Sequence, residues 1–226
     1  SSTSRGLGDV YKRQNKMCGS GMKALMLAHD SIMAGSNSVM IAGGMESMTN
    51  APYLLPKVRQ GMRMGHGEIK DHMFLDGLED AFERGTLMGA YAEATAERYQ
   101  FTREAQDEFA IRSLKRANKA ISDGTFSREI VPVNVKSRKN LVQVDVDEQP
   151  GAASPDKIPT LRPAFAKDGT VTAANSSSIS DGAAAFVLMK MSSAESKGLT
   201  PLAIVHAHAS HSQEPQWFTT APIGAI

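Results

Sequence analysis

Apolar positions recur with helical spacing over residues 18–34. Met22, Leu25, Met26, His29, Ile32 and Met33 follow the i, i+3, i+4 rule of one helix face, and Gly35 supplies a stop. Residues 39–42 form a short apolar run ended by Gly43-Gly44, a strand by length and content. A helix between short apolar strands predicts a βαβ unit whose first strand precedes Asn15. Residues 49–86 mix prolines, glycines and charges without a sustained period, which suggests a functional loop region. Helical spacing returns over 87–99 and 103–121. In the second of these, Ala110, Leu114, Ala117 and Ile121 share a face, Thr102 is placed to cap, Glu104 suits the positive end and Gly124 closes. Alternation over 129–146 predicts an extended pair, and 149–163 reads as a proline-bearing linker. Order resumes at 170–174. Residues 183–189 predict a buried strand, Ser192 with Glu195 a capping box for a short helix ended by Gly198, and 202–209 a further strand. The fold class is α/β.

The chain has 226 residues, enough for a sizeable core. Its 25 basic and 24 acidic residues leave a net charge of +1, so no basic surplus supports nucleic-acid binding. The longest strictly apolar run, 183–189, is far short of the roughly 20 residues of a spanning helix, so no membrane partner is expected. A single cysteine excludes an internal disulfide and fits a reducing, cytoplasmic setting. Residues 1–14 resemble neither a signal nor a transit peptide. They are taken as a non-native leader, and the chain as an internal piece of a longer protein.

The chemistry centres on Asn15-Lys16-Met17-Cys18-Gly19-Ser20-Gly21-Met22-Lys23-Ala24. Cys18 is placed at the first turn of a helix, where unpaired backbone N–H groups and the macrodipole favour a thiolate. Gly19 and Gly21 remove bulk beside the sulfur, so an acyl group can approach. That describes an activated nucleophile. A buried structural cysteine is the other reading that residue types alone allow. His206 and His208 would share one side of a strand with His211 near, but no carboxylate or cysteine completes a set, and no metal is assigned. His66 and His72 read as loop residues.

The strings NKMCGSGMKA (15–24), AGGMESM (42–48) and GTVTAANSSSISDGAAA (169–185) resemble the thiolase family, with wording closest to the acetyl-CoA acetyltransferase branch. The resemblance covers about 15–226. It implies the layered α-β-α-β-α thiolase fold in the complete parent, of which this chain is a partial first half. Residues 15–48 would carry the nucleophile helix and strand, and 49–168 the loop domain covering coenzyme A. Residues 169–200 would return to the first half, and 201–226 would open the truncated second. It implies that Cys18 takes an acyl group from acyl-CoA and that a second acetyl-CoA then attacks to give acetoacetyl-CoA, or the reverse thiolysis. Degradative 3-ketoacyl-CoA thiolases and non-catalytic CoA- or lipid-binding relatives are the alternatives.

By the same resemblance Met88, Lys157, Ala164, Phe165, Ala173 and Ser177 contact coenzyme A. Leu87 stands where the family has a histidine before that methionine. Some members bind potassium near loop 173–177, but Leu114 replaces the tyrosine that assists, so no metal is implied. Coenzyme A thioesters are substrates and no cofactor is expected. The family is dimeric or tetrameric, which implies a homo-oligomer. Its Gly-His-Pro histidine, second cysteine and Asn-Glu-Ala-Phe asparagine are absent from these residues. They belong to the second half, so this stretch alone is expected to be inactive.

Overall fold

The computed structural model describes residues 12–137 and 140–226. Most of the expected leader therefore lies outside the described residues. The helices are α1 (Ser20–Met33), α2 (Met88–Tyr99), α3 (Arg103–Ser122), α4 (Glu148–Ala152), α5 (Met191–Ser196) and α6 (Ala221–Ala225). The strands are β1 (Val39–Ser47), β2 (Tyr53–Leu54), β3 (Lys70–Asp71), β4 (Val133–Ser137), β5 (Asn140–Val144) and β6 (Asp181–Met189). Two compact units result, one running to Thr86 and resuming at Ile179, the other Leu87–Ser178. The expected loop domain was bounded at 49 and 168. In the structure, 49–86 belongs to the first unit.

In the first unit β1 pairs with β6, antiparallel, from Val39↔Met189 to Ser47↔Asp181. The first strand of the βαβ unit expected around α1 falls before Asn15, mostly outside the described residues, while the antiparallel partners of β1 stand 134 to 150 positions away and leave no local signal. β1 also runs through the glycines expected to end it. A side chain on Gly43 would stand 2.3 Å from the Ala184 carbonyl oxygen, so the backbone needs glycine there to stay in the ladder. Helix α1 packs on β1, with Ala28, Ile32 and Ala42 buried. The packed face runs through Gly21, Ala28 and Ile32, whereas Met22 and Met33 are exposed. Close packing on a strand selects small residues, which a search for large apolar ones passes over.

Three further expectations fail here. β6 is exposed over most of its length rather than buried. An apolar run marks a strand but not what covers it. Residues 202–209 form no strand, because no described strand lies alongside to share a ladder. Ser192 does not cap: α5 begins at Met191 behind Lys190, with no side-chain cap, although Gly198 ends the segment at φ +65° as expected. Beyond β1, the chain is tied back to β6 by Asp181, whose Oδ1 accepts the Thr49 backbone N–H at 3.0 Å.

In the second unit α2 and α3 lie where helical spacing predicts them. Thr102 caps α3 by accepting from the Ala105 N–H at 3.2 Å. The extended pair is the hairpin β4–β5. The expected linker is instead ordered as α4 and a 3₁₀ turn over Pro155–Thr160, with Ile158 buried. Arg103 explains this: its guanidinium donates to the Ile158 and Leu161 carbonyls at 3.2 and 2.8 Å and pairs with Asp107 at 2.7 Å.

Residues 170–174 are ordered but are not a strand. Glu93 on α2 accepts the Thr170 N–H at 2.9 Å and the Val171 N–H at 2.8 Å. Asn175 accepts the Thr172 N–H at 2.7 Å and donates to the Thr170 carbonyl at 3.0 Å. Thr172 is 0% exposed and its carbonyl accepts from the Ser176 hydroxyl at 2.6 Å. With the N–H groups of Thr170, Val171 and Thr172 taken by side chains, these three residues have no donor for a ladder. No helix among the described residues is long and apolar enough to cross a membrane.

Two outcomes follow from these contacts. The Thr49 N–H holds the Asp181 carboxyl below the usual carboxylate range. A group whose folded value is depressed adds stability above its unfolded value and loses it as pH falls through the folded one. The stability gap between the wild-type chain and Asp181→Asn should therefore be constant at neutral pH and close below about pH 4 in denaturant titrations. A gap that widens with acid contradicts the contact. Separately, Glu93→Gln replaces acceptor capacity with donors facing two N–H groups. It should cost about 1.5–3 kcal/mol and speed hydrogen exchange at Thr170 and Val171 while leaving the amides in the middle of α3 unchanged.

Candidate active site

The chain reaches Cys18 through a turn built from its own polar groups. Asn15 Oδ1 accepts the Met17 N–H at 2.8 Å. The Ser20 hydroxyl accepts the Lys16 N–H at 2.9 Å and donates to the Met17 carbonyl at 2.8 Å. The Gly19 N–H donates to the Lys16 carbonyl at 3.0 Å, which closes the turn over Met17 and Cys18. Met17 takes φ +49°, a left-handed backbone that is uncommon outside glycine. Gln14, set aside with the expected leader, donates to the Ser20 carbonyl at 2.7 Å.

These bonds hold Cys18 just ahead of α1 rather than in its first turn, because Gly19 is the capping residue and the helix begins at Ser20. Cys18 is a free, exposed thiol. It lines an open cleft of about 760 Å³ together with Gly21, Gly43, Gly44, Ala183 and Ala184. Gly19, expected beside the sulfur as an opening for substrate, is not among the lining residues. Gly21 serves packing as well: a side chain on Gly44 would lie 3.2 Å from the Gly21 Cα.

His72 and Asp76 also line this cleft, with Nε2 and Oδ2 3.7 Å apart. The sequence placed His72 in a loop and made nothing of Asp76. The pairing of Tyr53 with Asp71 folds this stretch back, and no periodicity in 49–86 announces it.

The residues expected to contact coenzyme A all fall in the second unit, and Cys18 in the first. Met88 opens α2. A side chain on its neighbour Gly89 would stand 2.3 Å from the Phe165 ring, so Gly89 makes room for that ring. The Ala164 N–H donates to the Val171 carbonyl at 2.9 Å, which joins the 164–165 pair to the loop carrying Ala173 and Ser177. Ala173 and Ser177 are exposed. Lys157 is exposed on the 3₁₀ turn that Arg103 anchors. A further cleft of about 570 Å³ in this unit, lined by Ala90, Glu93, Phe101 and Thr170 among others, takes in none of these six residues. Sequence reasoning missed Glu93, Arg103, Asp107 and Asn175, which shape the loop; each looked like an ordinary helix-surface or loop polar residue.

Residues 8–192 match the family model described as thiolase, N-terminal domain. The chain is 48% identical over 214 residues to an acetyl-CoA acetyltransferase of Thiocystis violacea, covering 93% of this chain and 54% of that protein. The crystal structure of the Bacillus anthracis acetyl-CoA acetyltransferase superposes with a TM-score of 0.86 at 41% identity, over 93% of this chain and 53% of that one. The Acat5 thiolase from Ascaris suum, solved in complex with coenzyme A, superposes with a TM-score of 0.85 at 41% identity, over 94% of this chain and 54% of that one. The chain thus spans about half the length of the relatives it matches. A family match over most of its residues, at this identity and with this likeness of fold, makes the chain a member of the thiolase family, within its N-terminal domain and with the α/β thiolase fold.

Proposed function

We propose that Cys18 is the nucleophile of an acyl transfer between two acyl-CoA molecules, acetyl-CoA in the first instance. The observation that carries this reading is an exposed thiol on a strained, hydrogen-bonded turn at the wall of a cleft large enough for an acyl chain. The Cys18 sulfur attacks the thioester carbonyl, and the coenzyme A thiolate leaves with the tetrahedral intermediate's electron pair. A second acetyl-CoA, having lost a methyl proton to a base, attacks the acyl-cysteine through that carbon. The products are acetoacetyl-CoA and free Cys18, and thiolysis is the reverse. The resemblance places the base and the proton-carrying second cysteine in the other half of the longer relatives. The relatives from Thiocystis violacea and Bacillus anthracis are named acetyl-CoA acetyltransferases, which favours the short-chain substrate.

In the second unit, Met88, Ala164, Phe165, Ala173 and Ser177 would form the trough for the pantetheine arm, with Lys157 toward the nucleotide. An apolar wall with a few hydrogen-bonding groups suits such a tail. A homo-oligomer and a reducing, cytoplasmic setting complete the proposal. The second is supported by the single thiol, left exposed.

In the complete protein, incubation with radiolabelled acetyl-CoA should leave one acetyl group on Cys18. Cys18→Ala should lose both the label and turnover by several orders of magnitude while keeping its circular dichroism. Label retained on that variant removes Cys18 from the role.

Lys157→Ala and Ser177→Ala should raise KM for acetyl-CoA with little change in kcat. The expected loss is about 1.5–3 kcal/mol for the charged Lys157 and about 0.5–1.5 kcal/mol for Ser177. A fall in kcat at constant KM contradicts the binding assignment.

A further inference from the structure

We propose that His29, Asp30 and His208 form a binding site for one divalent transition-metal ion of the zinc class. The sequence offered His206, His208 and His211 but no carboxylate to complete a set. The fold supplies it: Asp30, 178 residues from His208, has its Oδ1 2.8 Å from His208 Nε2. The same oxygen lies 3.3 Å from His29 Nδ1. The two imidazoles meet edge to face with centroids 5.1 Å apart, and all three donor atoms lie within 4.8 Å of one another. A tetrahedral site with metal–ligand bonds of about 2.0–2.1 Å needs donors roughly 3.3 Å apart. The His29 separation of 3.3 Å matches that value and the His208 separation of 2.8 Å is shorter, so a small outward rotation of the His208 ring suffices to receive an ion.

The donor set identifies the ion class. Two imidazole nitrogens and one carboxylate oxygen suit zinc, cobalt or nickel, whereas calcium and magnesium call for oxygen-rich shells. Water would complete the tetrahedron. Exposure also fits: each imidazole side chain is only 24% exposed and so is held, while the carboxylate is 58% exposed and gives an ion its way in. His29 and Asp30 belong to α1, and His208 to the strandless stretch 202–209. An ion here would clip that stretch to the helix. The site is separate from the Cys18 cleft, since His29 lies roughly 14 Å along the helix axis from Ser20 and neither histidine lines that cleft. The neighbouring histidines are not part of it. His211 packs on Gly224, where a side chain would meet its ring at 2.6 Å, and His206 is outside the cluster.

The test uses the tag-free 226-residue chain titrated with Co²⁺, read by the visible absorption of tetrahedral cobalt, and then competed with Zn²⁺. One equivalent should bind. His208→Gln and Asp30→Asn, both conservative changes at solvent-accessible positions, should each weaken binding at least about tenfold, with circular dichroism unchanged. His206→Gln and Cys18→Ala should change it less than about twofold, which separates this site from the thiol. Zn²⁺ should also raise the melting temperature of the wild-type chain and not that of His208→Gln. Absence of saturable binding overturns the proposal. So does full affinity in either His208→Gln or Asp30→Asn, or loss of binding in Cys18→Ala.

Discussion

Where α1 crosses β1, a methyl group on Gly44 would stand 3.2 Å from the Gly21 Cα and 3.3 Å from its nitrogen. Backbone therefore meets backbone at this crossing: a side chain on Gly44 makes the helix give way, whereas one on Gly21 would make only ordinary contact, 4.0 Å from the Gly44 nitrogen. The consequence reaches the candidate active site. Cys18 lies on the turn immediately before α1, so the height of that turn above the sheet is set by the Gly21–Gly44 contact. The neighbouring pair continues the theme: Gly43 runs against Ala184, whose carbonyl oxygen would be 2.3 Å from any side chain there. A floor of Gly43, Gly44, Ala183 and Ala184 results, and the cleft beside the thiol owes its depth to these small residues.

The second unit is organised by charge. Glu93 and Asp107 project from two helices toward the loop that carries Ala173 and Ser177, and each meets N–H donors. Desolvating a carboxylate is costly, and charge-assisted hydrogen bonds offset that cost only when the geometry is complete. Here it is complete: among the described residues no buried side-chain nitrogen or oxygen lacks a partner. Such a loop keeps one conformation without strand pairing. That is how an irregular segment can present a small hydroxyl and a methyl at defined places for a ligand.

Helices were legible in the sequence wherever their periodicity and caps agreed. Thr102, Glu104 and Gly124 bracket α3 as the residue types require, and the alternation around Val133 and Val142 found the β4–β5 hairpin. The place of the thiol at the start of α1 was legible from its glycine-flanked string, with the difference that it stands on the turn before the helix. What stayed hidden depends on distant partners. The antiparallel pairing of β1 with β6, the order imposed on 149–163 by Arg103, and the meeting of Asp30 with His208 all join residues far apart in the chain. The order expected at 170–174 and the capping box expected at Ser192 both turn on which acceptor each backbone N–H finds. At Thr170 and Val171 that acceptor is Glu93. At the start of α5, the Ser193 and Ala194 amides bond the Lys190 carbonyl, so the cap position falls two residues earlier than the box requires.

The turn at Cys18 shows what the local chain does for chemistry. Holding a non-glycine residue such as Met17 in the left-handed region costs about 1–2 kcal/mol. Four hydrogen bonds surround it, through Asn15, Ser20 and Gly19. At about 0.5–1.5 kcal/mol each, they more than offset that cost. Two of the amides that open a helix, those of Gly19 and Ser20, are already spent on the Lys16 and Met17 carbonyls. They are thus not free to stabilise charge on an incoming group, and the sulfur lies outside the helix they would otherwise serve. The turn's contribution is presentation: it projects the thiol into the cleft at a fixed height above the Gly43–Gly44 floor. A strained residue kept in place by its neighbours, beside the chain's single exposed thiol, is the pattern expected where geometry rather than stability has been selected.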